Sequence, residues 1–201
     1  ERLKRSEEAE ADFRKARELP ATTSEDRVAR ASALIAVDAE AALEELQTAE
    51  RIFGPQPRIL QSMAHVLSEQ LHREPESLAV LDRLIAAYPR HQKAIAGRAV
   101  LHARAGNIEK SLADIRMLLE TPPALTGELM FQVASAWSIC SKTQPQLRPQ
   151  AWRWLSRAIA AGYGSTLLET DPDLEPLRGD REFATVRSIA WLLEGKTPPG
   201  D

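Results

Sequence analysis

Lys93 and Arg104 stand eleven residues apart, about three turns of an α-helix, so on one helix they share a face and lie about 16 Å apart. Two cations so placed suit acidic groups at two points along an extended chain, and Ala96 and Val100 between them leave an apolar floor. Other reactive residue types lack the company their chemistry needs. His65, Glu69 and His72 share a helical face at spacings of four and three. A catalytic zinc usually takes three protein ligands, and the glutamate that would follow the first histidine as base is absent. His102 reads as an inward packing residue and Cys140 as a small apolar one. Gly195-Lys196-Thr197 imitates the end of a phosphate-binding loop, but the earlier glycine would fall at Ala190, inside a helix, with no strand before it. No local spacing assembles Ser, His and Asp. The expectation is a chain that is not an enzyme, with no metal and no cofactor.

Bulk properties narrow the class further. No run of about 18 apolar residues exists, so no direct membrane insertion is expected. The single cysteine makes no internal disulfide. Hydrophobic residues make up 43% but aromatics only 5%; alanine fills the difference, and small side chains let helix backbones approach. The chain begins at Glu1 without a visible signal peptide and is read as a fragment. Its compartment is cytoplasmic by default, or outside the cytoplasm if the parent carries a membrane span upstream. Residues 51–164 carry 14 Lys/Arg against 8 Asp/Glu, while 1–50 carry 8 against 13 and 165–201 carry 4 against 8. A basic middle between acidic ends favours an acidic partner segment, although the same charges also solvate outer helix faces.

The elements follow from breakers and caps. Residues 1–19 read as a charge-dense leading helix ended by Pro20, with Leu3, Ala9, Phe13 and Ala16 as its thin stripe. Thr22, Thr23 and Ser24 are N-cap candidates for a helix running to about Val37, and Asp38 caps a second that stops at Gly54. Pro57 starts a third. His72 to Pro75 turn into a fourth, which Pro89 ends. A pair around Gly106–Asn107 closes at Pro122–Pro123, and another begins near Gly127 with a longer turn from Lys142 to Pro149. After Gly162 come short pieces capped at Asp171, and a last helix from Asp180 to Gly195. Residues 196–201 read as a flexible tail.

One register recurs four times. A small residue is followed at +4 and +7 by apolar residues and at +12 by a turn: Ala42/Leu46/Ala49 with Gly54, Ser77/Leu81/Leu84 with Pro89, Ser111/Ile115/Leu118 with Pro123, and Ala151/Leu155/Ala158 with Tyr163. The starts lie 35, 34 and 40 residues apart. This is the period of a helical-pair solenoid, and 34 is that of the tetratricopeptide repeat (TPR), which residues 23–163 resemble. The expected fold is all-α: a right-handed α–α superhelix of about four helical pairs, with residues 164–195 as C-terminal capping helices. The stretch Ala158-Ile-Ala-Ala-Gly-Tyr163, then Thr170-Asp-Pro-Asp-Leu-Glu-Pro-Leu-Arg178 and Phe183, looks like the ending of TPR arrays found C-terminal to the catalytic domain of bacterial serine/threonine kinases. Ala9-Glu-Ala-Asp-Phe-Arg-Lys-Ala16 is similar to the helix leading into them. The chain itself has no kinase motif.

In TPR arrays the first helix of each pair lines a concave groove. That register puts Arg27, Ala31 and Leu34 there from the first pair and Gln61, His65 and Ser68 from the second. Lys93, Ala96, Val100 and Arg104 come from the third, and Phe131, Ser135 and Ser138 from the fourth. The resemblance implies a non-catalytic scaffold for a protein or peptide partner, with Lys93 and Arg104 as a cationic clamp and Phe131 as an apolar anchor. The rival for Phe131 is cover by the segment after Gly162. Two other classes compete: an RNA-binding helical repeat, disfavoured because no polar pair recurs and the basic excess is modest, and a structural module that packs on itself or on a second copy as a homodimer.

Overall fold

The computed structural model describes residues 21–193 and 195. The leading helix expected over 1–19 and the tail over 196–201 lie outside them. The described residues form helices and turns without strand, in two compact units that divide between Pro89 and Arg90.

The first unit holds α1 (Ser24–Leu34), α2 (Ala39–Phe53), α3 (Pro57–His65) and α4 (Glu74–Ala87). Of the three cap candidates Thr23 serves: its Oγ accepts from the Asp26 amide at 3.1 Å, and the Asp26 carboxylate accepts from the Thr23 amide at 2.9 Å. Helix α1 stops at Leu34, one turn before the expected Val37, because residues 35–37 must reverse the chain so that Asp38 can cap α2 through Ala41 N–H at 2.9 Å. Helices α1 and α2 pack as one antiparallel pair and α3 and α4 as the next, with α1 also touching α3.

Helix α3 does not end at His65 but widens into a π-turn over Val66–Gln70. The widening goes with a contact from the next helix. Two hydroxyls converge on the Ala64 carbonyl, Ser68 Oγ at 3.0 Å and, from α4, Ser77 Oγ at 2.8 Å, so that acceptor is satisfied without the ordinary helical pattern.

The second unit holds α5 (Gln92–Arg104), α6 (Ile108–Glu120), α7 (Gly127–Cys140), α8 (Arg148–Ala160) and α9 (Arg181–Leu193). Between α8 and α9 lie two short 3₁₀ turns, Ser165–Leu167 and Pro172–Leu177. Helices α5 and α6 form one pair and α7 and α8 the next, and the first helices α5 and α7 lie side by side. The carboxylate of Asp180 receives Arg148 Nη1 at 2.8 Å and Trp152 Nε1 at 2.9 Å, fastening the start of α9 to α8.

The twelve small and apolar register residues are each at most 2% exposed. Repeated antiparallel pairs in one register, with the small residue at the close helix contact, make the fold an all-α, TPR-like α–α solenoid.

Candidate functional site

The predicted groove residues are taken unit by unit. In the first unit Arg27 Nη1 donates to Glu45 Oε1 on α2 at 2.9 Å, and Arg30 reaches the same oxygen at 3.5 Å. Arg27 therefore ties its own helix pair together. Ala31 and Leu34 are buried, Gln61 is half-buried, and Ser68 is buried with its hydroxyl on Ala64 O. His65 is exposed at the junction of α3 and the π-turn. Beyond that turn His72 takes a left-handed backbone, φ +52°, so the simple helical register that grouped it with His65 and Glu69 is broken. Among the described residues no three His, Cys, Asp or Glu side chains gather in a geometry that could hold a metal ion.

In the second unit α5 and α7 start at the same end. His91 caps α5 through its Nδ1, which accepts from Ala94 N–H at 3.2 Å, and Thr126 caps α7 through Leu129 N–H at 3.3 Å. Between these starts and the end of α8 opens a cleft of about 640 Å³, reaching Arg90, Gly127 and Tyr163. Lys93 lines it, 54% exposed, 2.8 Å from Glu128. A Cβ on Gly127 would sit 2.8 Å from that of Tyr163, so glycine permits α7 to approach the end of α8. Burial, then the Glu128 carboxylate, raises the Tyr163 phenol above its ordinary pKa; it stays a hydrogen-bond donor there at neutral pH.

Burial lowers the pKa of His91, and Lys93 adds to the effect. Its neutral form is the capping form, since a protonated Nδ1 cannot accept. A base with a depressed folded pKa contributes stability above its unfolded pKa, and that stability is lost as pH falls through the folded value. Stability should therefore drop as the pH falls below about 6.5, the ordinary histidine value, and His91→Ser, which caps without titrating, should flatten that limb of a melting-temperature series. An unchanged slope in the variant would exclude His91 as its source.

Of the remaining predicted residues of this unit, Arg104 is exposed but paired, and the others are buried. Phe131 is 4% exposed, edge-on to Tyr163 at 5.7 Å between ring centres. Gly164, at φ +90°, lies so close above the ring that a Cβ there would be 2.4 Å from Phe131 Cδ2. Ala96, Val100, Ser135 and Ser138 are buried as well. Arg104 Nε donates to Asp173 Oδ1 at 3.0 Å and Nη2 to Oδ2 at 2.8 Å, a bidentate pair across 69 residues of chain. Arg104 and Phe131 thus do not act as a free clamp and a free anchor. The physical reason is the segment after Gly162. It meets Phe131 near the start of α7 through Tyr163 and Gly164. It meets Arg104, at the end of α5, through Asp173, and Lys142, just beyond α7, through Glu175 at 3.5 Å. It therefore runs along α5 and α7 from their N-terminal to their C-terminal ends. Leu174 and Leu177, three residues apart, are fully buried in a core shared with Phe131, Leu155 and Phe183.

Asp173, Leu174 and Leu177 are the residues of this face that sequence reading missed as binding groups. The available signal was the acidic, proline-bounded run Asp171-Pro-Asp-Leu-Glu-Pro-Leu177 downstream of a basic middle.

No family model and no curated protein matches the sequence. Solved structures do match the fold. A tetratricopeptide repeat protein from Parabacteroides merdae is similar over 94% of this chain, at TM-score 0.55 and 17% identity. This chain spans 66% of the length of that protein. A double mutant of MamA from RS-1 is similar over 87% of this chain and 96% of its own, at TM-score 0.55 and 15% identity. At these identities the likeness is one of fold.

Proposed function

We propose that this chain is a non-catalytic interaction module that holds an acidic, leucine-bearing protein segment along α5 and α7, the first helices of the two pairs in its second unit. The observation that carries the reading is the bidentate Arg104–Asp173 pair beside the buried Leu174 and Leu177. An acidic and apolar stretch of chain is already accommodated on the α5–α7 face, by the ion pairing and apolar burial that a bound peptide would use. Lys93 and the cleft at the helix starts are exposed and supply a first point of contact. The helical-repeat fold shared with the two TPR-like neighbours supports the same reading by analogy.

Panning a random peptide display library on the immobilised full chain tests it. Peptides combining acidic residues with leucine should be enriched, and the enrichment should disappear with the Lys93→Glu/Arg104→Glu chain. Selection of no common pattern would reject the proposal, as would single-stranded RNA binding that weakens steeply across a salt series.

The finer reading places the chain as the C-terminal recruiting region of a bacterial serine/threonine kinase. It rests on the run from Ala158 to Tyr163 and from Thr170 to Arg178. A kinase catalytic loop encoded upstream of Glu1 in the same reading frame would support it, and an unrelated upstream sequence would overturn it.

A further inference from the structure

We infer that residues 163–178 are a displaceable intramolecular ligand, and that the α5–α7 face opens to a partner carrying the pattern Asp-Leu-x-x-Leu, which replaces them. The inference rests on the reading of this face as a protein-binding surface and adds what closes it.

Three observations carry it. First, the segment stands outside the repeating pairs. Its 3₁₀ turns are shaped by bonds within itself: Leu174 N to Asp171 O at 3.1 Å, Arg178 N to Glu175 O at 3.2 Å, Asp173 N to Asp171 Oδ1 at 2.9 Å and Arg178 Nη2 to Asp171 O at 2.6 Å. Those bonds can persist in a lifted segment. Second, Asp173 and Arg104 form a bidentate pair that ties it to α5, with the exposed Lys142–Glu175 pair beside it. A bidentate carboxylate site accepts any equivalent carboxylate. Third, the covered face is imperfectly matched. Ser135 and Ser138 follow Phe131 at +4 and +7 on the same side of α7. They are 3% and 0% exposed, and their hydroxyls have no hydrogen-bond partner among the described residues. An unsatisfied buried hydroxyl is costly, so the resident segment does not hold this face at its best fit. The resident pattern defines what fits: a carboxylate, a leucine directly after it and a second leucine three residues further on.

A fluorescent synthetic peptide of residues 163–180, titrated by anisotropy into the full chain, is the test. The wild-type chain should bind it weakly, because apparent affinity is reduced by the fraction of molecules whose face is open. Asp173→Asn releases the resident carboxylate and should tighten binding at least about tenfold, the change expected when the open fraction starts near one in ten. The same peptide with Asn at the position matching Asp173 should lose at least about tenfold on that variant, and Arg104→Glu should abolish binding. Amide exchange in the wild-type chain gives a mutation-free check: the amides of 168–177 should exchange through local opening, well before those of α7.

Equal peptide binding by wild type and Asp173→Asn would overturn the resident-ligand claim while leaving the interaction surface intact. No binding by either, with both folded, would overturn the surface as well. Exchange of 168–177 only with global unfolding, or collapse of the Asp173→Asn melt, would make the segment a fixed part of the core. A dimer of Asp173→Asn that takes up no peptide would assign the face to a second copy.

Discussion

Phe131→Ala is expected to destabilise the chain by about 3–5 kcal/mol, the usual cost of removing a buried phenylalanine ring. The ring is 4% exposed, with Tyr163 edge-on and Gly164 directly above it. In the closed face the lost ring leaves a cavity, since Gly164 lies directly over it at φ +90°. For a chain of this size the melting temperature should fall by roughly 6–20 °C. Gly164→Ala should move in the same direction from the opposite side, through its unfavourable φ and a Cβ driven into the ring. A Phe131→Ala chain that melts with the wild type would mean that the ring is not covered by this segment.

Ser111→Arg is the second large effect, a loss of more than about 2 kcal/mol. Ser111 lies in the first turn of α6, is 0% exposed, and has the Cys140 thiol of α7 at 3.8 Å from its hydroxyl. A small residue here lets the helices approach; an arginine would bring both excess volume and an uncompensated buried charge. Thermal melts of the variant decide the matter, and an unchanged midpoint would mean that the +4/+7/+12 register is misassigned.

What was legible in the sequence follows from what is local. The register residues declare themselves because helix periodicity and a turn at +12 lie within one element and its boundary. Asp38 and Asp171 mark starts through side chains that accept a backbone N–H two or three residues on, and Pro57 and Gly54 mark ends through their backbone preferences. The π-turn was not legible: it depends on Ser77 reaching Ala64 from the next helix. Nor was the closed face of the second unit. Lys93 and Arg104 read correctly as cations on one helix, but nothing near Arg104 announces a partner 69 residues away. Gly164 reads as one more loop glycine until Phe131 is placed beneath it. Side chains that can bind a partner and side chains that bind their own chain share one composition, and only tertiary placement separates them.

The central claim is that α5 and α7, the first helices of the second unit's pairs, form the working surface. Backbone amide NMR of the full Asp173→Asn chain, titrated with the 163–180 peptide, tests it most directly. The account predicts that shift changes gather on α5 and α7, around Lys93, Arg104 and Phe131, and on the resident segment as it leaves. Saturable binding whose shifts fall on α6 and α8 instead would contradict it.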